Sequence, residues 1–206
     1  MDPLTITALV VSALLLLAML WWYYPYFRKP WTPKLRALEK LKTALNGSDL
    51  LLAEYPALVI YKAQQELRFC DGETLLKTYP IALGLNPLDD KRKEGDGCTP
   101  EGDFYICTKN DQSRFHLFLG LSYPNEEDAE RGLRSGIISK EEHDRILQAQ
   151  AARKRPPWDT RLGGEIGIHG GGADSHWTQG GIAMENKDVE ELFLITPLGT
   201  PVKILP

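Results

Sequence analysis

Apolar and polar residues follow distinct rhythms along this chain. The first is an unbroken block: from Leu4 to Tyr24 nearly every residue is apolar (LTITALVVSALLLLAMLWWYY). About 20 such residues in a helix span the hydrocarbon core of a bilayer. Trp21, Trp22, Tyr23, Tyr24 and Tyr26 stand where an interfacial aromatic belt belongs. No small-x-small cleavage site follows, so the pattern predicts an uncleaved membrane anchor over residues 1–27 rather than a signal peptide. Prolines 25, 30 and 33 mark its exit. Leu35, Leu38, Leu41 and Leu45 then recur on one helical side, with Thr32 as a cap, Pro33 in the first turn and Gly47 at the end. This predicts a juxtamembrane spacer helix within residues 28–54.

From residue 55 to 206 the rhythm changes to period two. LVIYK and ELRFCD flank a short turn, and Asp71-Gly72 is a hairpin signal leading into TLLKTYPIALG. DFYICT and RFHLFLG continue the alternation, and EIGIH, GIAM and PVKIL are short apolar runs bounded by glycine, asparagine or proline. Within a charged insert from Asn125 to Asp159, Ser139 and Glu142 form a capping-box pattern ahead of Ile146 and Leu147. A further helix opens at Asn186 and ends near Pro197. Many short strands with few helices predict a mainly β domain of sandwich or barrel type. The insert reads either as a solvated surface excursion or as a lid.

Composition narrows the function classes. Hydrophobic residues make up 43% of the chain, enough for a packed core. A net charge of -4 gives no basic face for nucleic acid. Cys70, Cys98 and Cys107 lack zinc spacing and do not form a disulfide framework, although Cys98 and Cys107 could pair in an oxidising compartment. No metal site and no cofactor motif is read from the sequence.

Candidate chemistry concentrates between Ile166 and Asn186 (IGIHGGGADSHWTQGGIAMEN). His169 ends a strand, a glycine-rich loop and a hydroxyl-bearing turn with Ser175 and Thr178 follow, and Gly180-Gly181 enter a second strand. Consecutive glycines let backbone approach a ligand, backbone N–H groups in such a turn can hold an oxyanion, and a nearby imidazole can act as a general base. Acyl chemistry is one reading. A tight glycine loop joining two strands, with His169 inert, is the other.

The spacing also resembles a known family. Ile166-Gly167-Ile168-His169-Gly170, then Thr178-Gln179-Gly180-Gly181-Ile182-Ala183-Met184, is similar to the histidine strand and the S/T-x-G-C-I/V segment of the L,D-transpeptidase (YkuD-like) family. Lys93 to Gly97 with Thr99-Pro100-Glu101-Gly102 resembles that family's E-G-D-x-x-T-P-E-G segment, and Tyr79–Gly84 and Leu119–Asn125 resemble others. The resemblance implies a YkuD-like fold and cysteine acyl transfer on peptidoglycan stem peptides. A thiolate would attack the carbonyl between meso-diaminopimelate and terminal D-alanine, and an amine or water would take the acyl group. It implies that His169 is the base, that Gly180 and Gly181 supply the turn and an oxyanion N–H, and that Thr178, His176, Ser175 and Gly170 line the site. Lys93, Glu94 and Asp96 are assigned less directly.

One position departs from the family. Gly181 stands where the nucleophilic cysteine is expected and offers no side chain for an acyl-enzyme. Cysteine and glycine codons can differ by one base, so an inactivated enzyme is one explanation and a peptide-binding pseudoenzyme or scaffold is the other. The implied location is the bacterial inner membrane with the domain in the periplasm. Arg28, Lys29, Lys34 and Arg36 after the span argue for the opposite orientation.

Overall fold

The computed structural model describes residues 33–46 and 48–206. The apolar run Leu4–Tyr24, the cap Thr32 and Gly47 lie outside them. Helix α1 (Pro33–Leu45) begins at the proline, as its fixed φ favours. Among the described residues no helix is long and apolar enough to cross a membrane.

The predicted strands form, and they join into a single ladder. In chain order they are β1 (Pro56–Tyr61), β2 (Glu66–Asp71), β3 (Thr74–Pro80), β4 (Gly102–Ser113), β5 (His116–Leu121), β6 (Gly167–His169), β7 (Ile182–Ala183) and β8 (Pro201–Leu205). Their spatial order is β3-β2-β1-β8-β4-β5-β6-β7. Alternation decides which side chains turn inward: Leu58 and Ile60, Leu67 and Phe69, and Val202 and Ile204 are all buried. Gly72, at a φ of 57°, makes the β2–β3 hairpin turn that Asp71-Gly72 predicts.

The two ends of the ladder meet. Just beyond β3, the Ala82 N–H donates to Ala183 O at 2.9 Å, and the Ala183 N–H returns to Ala82 O at 2.8 Å. The sheet therefore curls back on itself in the manner of a barrel. Further bridges at Gly84–Thr178 and Asn86–Cys98 extend this seam. Gly84 is required there, because a Cβ would strike the Gly97 carbonyl.

The insert folds as two helices, α2 (Glu126–Arg134) and α3 (Lys140–Ala151). Each opens with a full capping box, Ser139 with Glu142 as predicted and Asn125 with Asp128 in addition. They enclose a small core of Ala129, Ile138, Ile146 and Leu162. Arg131 fastens α2 to the preceding loop through Asp90 and the Lys91 carbonyl, and also bridges Asp128. Burial pushes the Asp128 carboxyl up to about 6, against the pull of the Asn125 N–H and Arg131. Helix α4 (Asn186–Ile195) forms where predicted and buries Val189, Leu192 and Ile195.

Lys62 is a buried cation near the seam. Its ammonium donates to Asp89 O (2.8 Å), Thr99 O (3.1 Å) and the Glu101 carboxylate (2.7 Å). A Lys62→Ala substitution strands all of these acceptors. Chemical denaturation of that variant should show a loss of about 3 kcal/mol.

Candidate functional site

Two very short strands place the chemistry. Parallel pairing of β6 with β7 sets Ile168 beside Ile182 and His169 beside Ala183. His169 closes one strand and Gly181 immediately precedes the other, so the two come face to face. The turn leading to Gly181 is built by Thr178, whose hydroxyl donates to Gly181 O (2.7 Å) and accepts from the Gly180 N–H (3.2 Å). Gly180 has a φ of +121°, and a Cβ there would sit 2.6 Å from Cys98 O, so glycine is required on both counts.

His169 is 5% exposed. Its Nδ1 lies 2.8 Å from Gly170 O. A carbonyl only accepts, so Nδ1 carries the proton and Nε2 keeps its lone pair. The ring stacks on Phe115 (centroids 4.8 Å apart, 29° between planes) and meets Trp177 edge-on at 5.4 Å. Phe115 arrives from the distant β4–β5 hairpin and is tied in by the Gly170 N–H donating to its carbonyl at 3.0 Å. Burial depresses the basicity of His169, the Gly170 bond opposes that, and the Arg114 charge depresses it further. The net shift is downward.

The free Nε2 faces residue 181. An ideal Cβ on Gly181 would lie 2.8 Å from it. The N–H groups of Gln179 and Gly181 meet no acceptor among the described residues, whereas that of Gly180 is spent on Thr178. An open cavity of about 1030 Å³ covers this point, walled by Phe115, Trp177, Phe118 and Trp158. A base with a lone pair, an uncommitted backbone N–H and a peptide-sized cleft meet where a side chain at 181 would project. This is the equipment of acyl transfer.

The model of the L,D-transpeptidase catalytic domain (YkuD) matches residues 55–204. The chain belongs to this family. Two solved structures agree in fold. The helical cell shape determining protein Pgp2 from Campylobacter jejuni matches with a TM-score of 0.50 at 22% identity, over 73% of this chain and 47% of that one. A point mutant of the same protein gives 0.51 at 20% identity, over 81% and 53%. An L,D-transpeptidase from Xylanimonas cellulosilytica gives 0.41 at 15% identity, over 73% and 60%. The chain thus spans about half to three-fifths of the length of these structures. No curated protein matches it.

The other sequence-predicted residues of this L,D-transpeptidase domain divide clearly. Thr178 lines the cleft, and Gly170 supplies the carbonyl that orients His169. His176 does not line the cleft: its Nδ1 accepts from the Leu83 N–H at 3.0 Å, fastening the loop to the seam. Ser175 is exposed and also outside the cleft lining. Glu94 lines the cavity. Asp96 instead organises its own loop, accepting from Lys91 Nζ and from the N–H groups of Arg92, Lys93 and Cys98. Burial works to raise Asp96, but those donors outweigh it and hold the carboxyl below its ordinary value. All three cysteines are free thiols, and Cys98 and Cys107 make separate contacts, to Asp96 O and Leu121 O. Of the insert, only Arg155 and Trp158 reach the cleft, so its helices do not form a lid over it. Phe115 and Trp177, the plates around the imidazole, went unread in the sequence. The tryptophan beside Thr178 was the available signal.

Two expectations follow. By ¹⁵N NMR, His169 should show the Nδ1–H tautomer and titrate below its ordinary 6.5. A ring with a lowered folded pKa holds fewer protons folded than unfolded. Its contribution to stability is therefore complete above pH 6.5 and is lost as pH falls below that value. The second concerns Gly181→Ala, whose Cβ must displace an imidazole held between Phe115 and Trp177. Denaturant midpoints should report a loss of about 1–2 kcal/mol.

Proposed function

We propose that this chain carries an L,D-transpeptidase-type site for peptidoglycan stem peptides, complete except for the thiol at position 181. The observation behind this reading is the bare Nε2 of His169, aimed 2.8 Å from where the Cβ of residue 181 would stand. With a thiol there, Nε2 takes its proton and the thiolate attacks the carbonyl joining the diamino acid to terminal D-alanine. The Gly170 carbonyl steadies the imidazolium through Nδ1–H, and the Gly181 N–H receives the developing oxyanion. The imidazolium then protonates the departing D-alanine amine. An acceptor amine or water afterwards resolves the thioester, with Nε2 again taking the proton.

As the sequence stands, no acyl-enzyme forms. Loss of the nucleophile in comparable hydrolases costs about a million-fold in turnover. The chain then binds stem peptide without cleaving it. Whether the chain is an inactivated enzyme or a pseudoenzyme scaffold, the imidazole stands closer to position 181 than a Cβ normally tolerates, so the ring must shift before a side chain fits there. In either case, we read Leu4–Tyr24 as the anchor holding the domain at the inner membrane, facing the periplasm, on the strength of its length and aromatic flank.

Restoring the thiol separates the two histories. Gly181→Cys should gain measurable exchange of labelled D-alanine into tetrapeptide muropeptides, and His169→Ala in that background should abolish it. No gain over the parent, with peptide binding retained, would favour the scaffold. No binding by either chain would sink the stem-peptide reading.

A further inference from the structure

The glycine-rich loop between β6 and β7 brings two groups to the site. Trp177 meets the His169 ring edge-on, and Thr178 builds the turn into Gly181. Both follow His176, and all three dock on one peptide group. Leu83 donates its N–H to Nδ1 of His176 at 3.0 Å, and its carbonyl accepts from the N–H groups of Trp177 (3.2 Å) and Thr178 (3.3 Å). Leu83 is fully buried, so solvent does not reach its N–H. The first half of the loop is held elsewhere, by the Gly171 N–H on Asn186 and the Gly172 N–H on Met184 O. Residues 176–178 therefore depend on Leu83.

Two of the three bonds at Leu83 are plain backbone pairing. The third requires one protonation state. A ring nitrogen accepts only through its lone pair, so Nδ1 of His176 is bare and Nε2 carries the proton, the opposite tautomer to that of His169. A proton on Nδ1 would set one N–H against another and leave the Leu83 N–H buried without an acceptor. Few charges surround the ring. Ile81, Ala82, Leu83 and Gly84 carry no titratable side chain. In the loop itself, Asp174 and Glu185 form no ion pair with His176 among the described residues, and Glu185 accepts from the Ala173 N–H instead.

We propose that His176 is a positioning residue whose unprotonated Nδ1 latches residues 176–178 onto Leu83. While neutral, it keeps Trp177 against the His169 ring and the Thr178 turn in place. On protonation it pushes that stretch away from the seam. His176 acts through Leu83 and lies outside the cleft lining, whereas Trp177 and Thr178 are part of it. The consequence is a cleft whose tryptophan wall loosens in acid, whichever peptide the cleft receives.

The test is NMR of the full chain through an acid titration. The Overhauser cross-peak between the Trp177 and His169 rings should be present at neutral pH. It should fall severalfold along the titration curve of the His176 ring. His169 titrates as well, so two variants assign the effect. Asparagine places an amide oxygen where Nδ1 stands and does not titrate. His176→Asn should therefore keep the cross-peak into acid. His176→Ala has no acceptor and should show the weakened cross-peak at every pH. A cross-peak that holds while His176 titrates, that falls equally in His176→Asn, or that keeps full strength in His176→Ala overturns the latch. So does a His176 ring that stays neutral down to the acid unfolding of the domain. Should His176→Ala fail to fold, the parent against His176→Asn decides alone.

Discussion

The site depends on the register between two of the shortest strands in the domain. β6 and β7 pair over only two residue pairs, Ile168 with Ile182 and His169 with Ala183. A slip of one residue would turn every side chain to the opposite face and take His169 away from Gly181. So brief a pairing cannot hold itself. It is clamped by complete burial of Ile168 and Ile182, by the Met184 N–H donating to His169 O, and by the reciprocal bonds between Ala82 and Ala183. The closure of the barrel and the assembly of the site are thus the same structural event.

Local signals were well written in the sequence. Period-two runs marked the strands, Asp71-Gly72 the hairpin and Ser139 with Glu142 a helix start, because each depends on residues a few positions apart. The resemblance located His169, Thr178 and the Gly180-Gly181 turn. What went unread depends on distant partners. Phe115 stacks on His169 only because a hairpin folds back from more than fifty residues away in sequence. The resemblance also implied His176 as a site residue, but its Nδ1 is occupied by the Leu83 N–H. Asp96 looked like chemistry, yet its carboxylate is saturated by its own loop. Glu165 gave no sign, since nothing in a composition or a period foretells a left-handed backbone at a charged residue.

The glycine at 181 can be set against the one beside it. Gly180 is demanded by its φ and by the Cys98 carbonyl at its back. Gly181 has no such demand: its φ is ordinary, and the atoms nearest its missing Cβ belong to the imidazole and the Gly167 carbonyl. The backbone at 181 is therefore one that a side chain could adopt, and the obstacle is the resting position of a ring rather than the path of the chain.

Closure through residues beyond β3 has a cost along the flank of that strand. Among the described residues its outer backbone from Thr74 to Pro80 finds no partner strand, and such edges recruit strands from other molecules. This edge is guarded. Pro80 has no N–H to offer, and Lys77 holds a charge there, tethered to Glu191 of α4 at 2.5 Å. Both features discourage the addition of a foreign strand. The open flank is thereby protected against edge-to-edge aggregation.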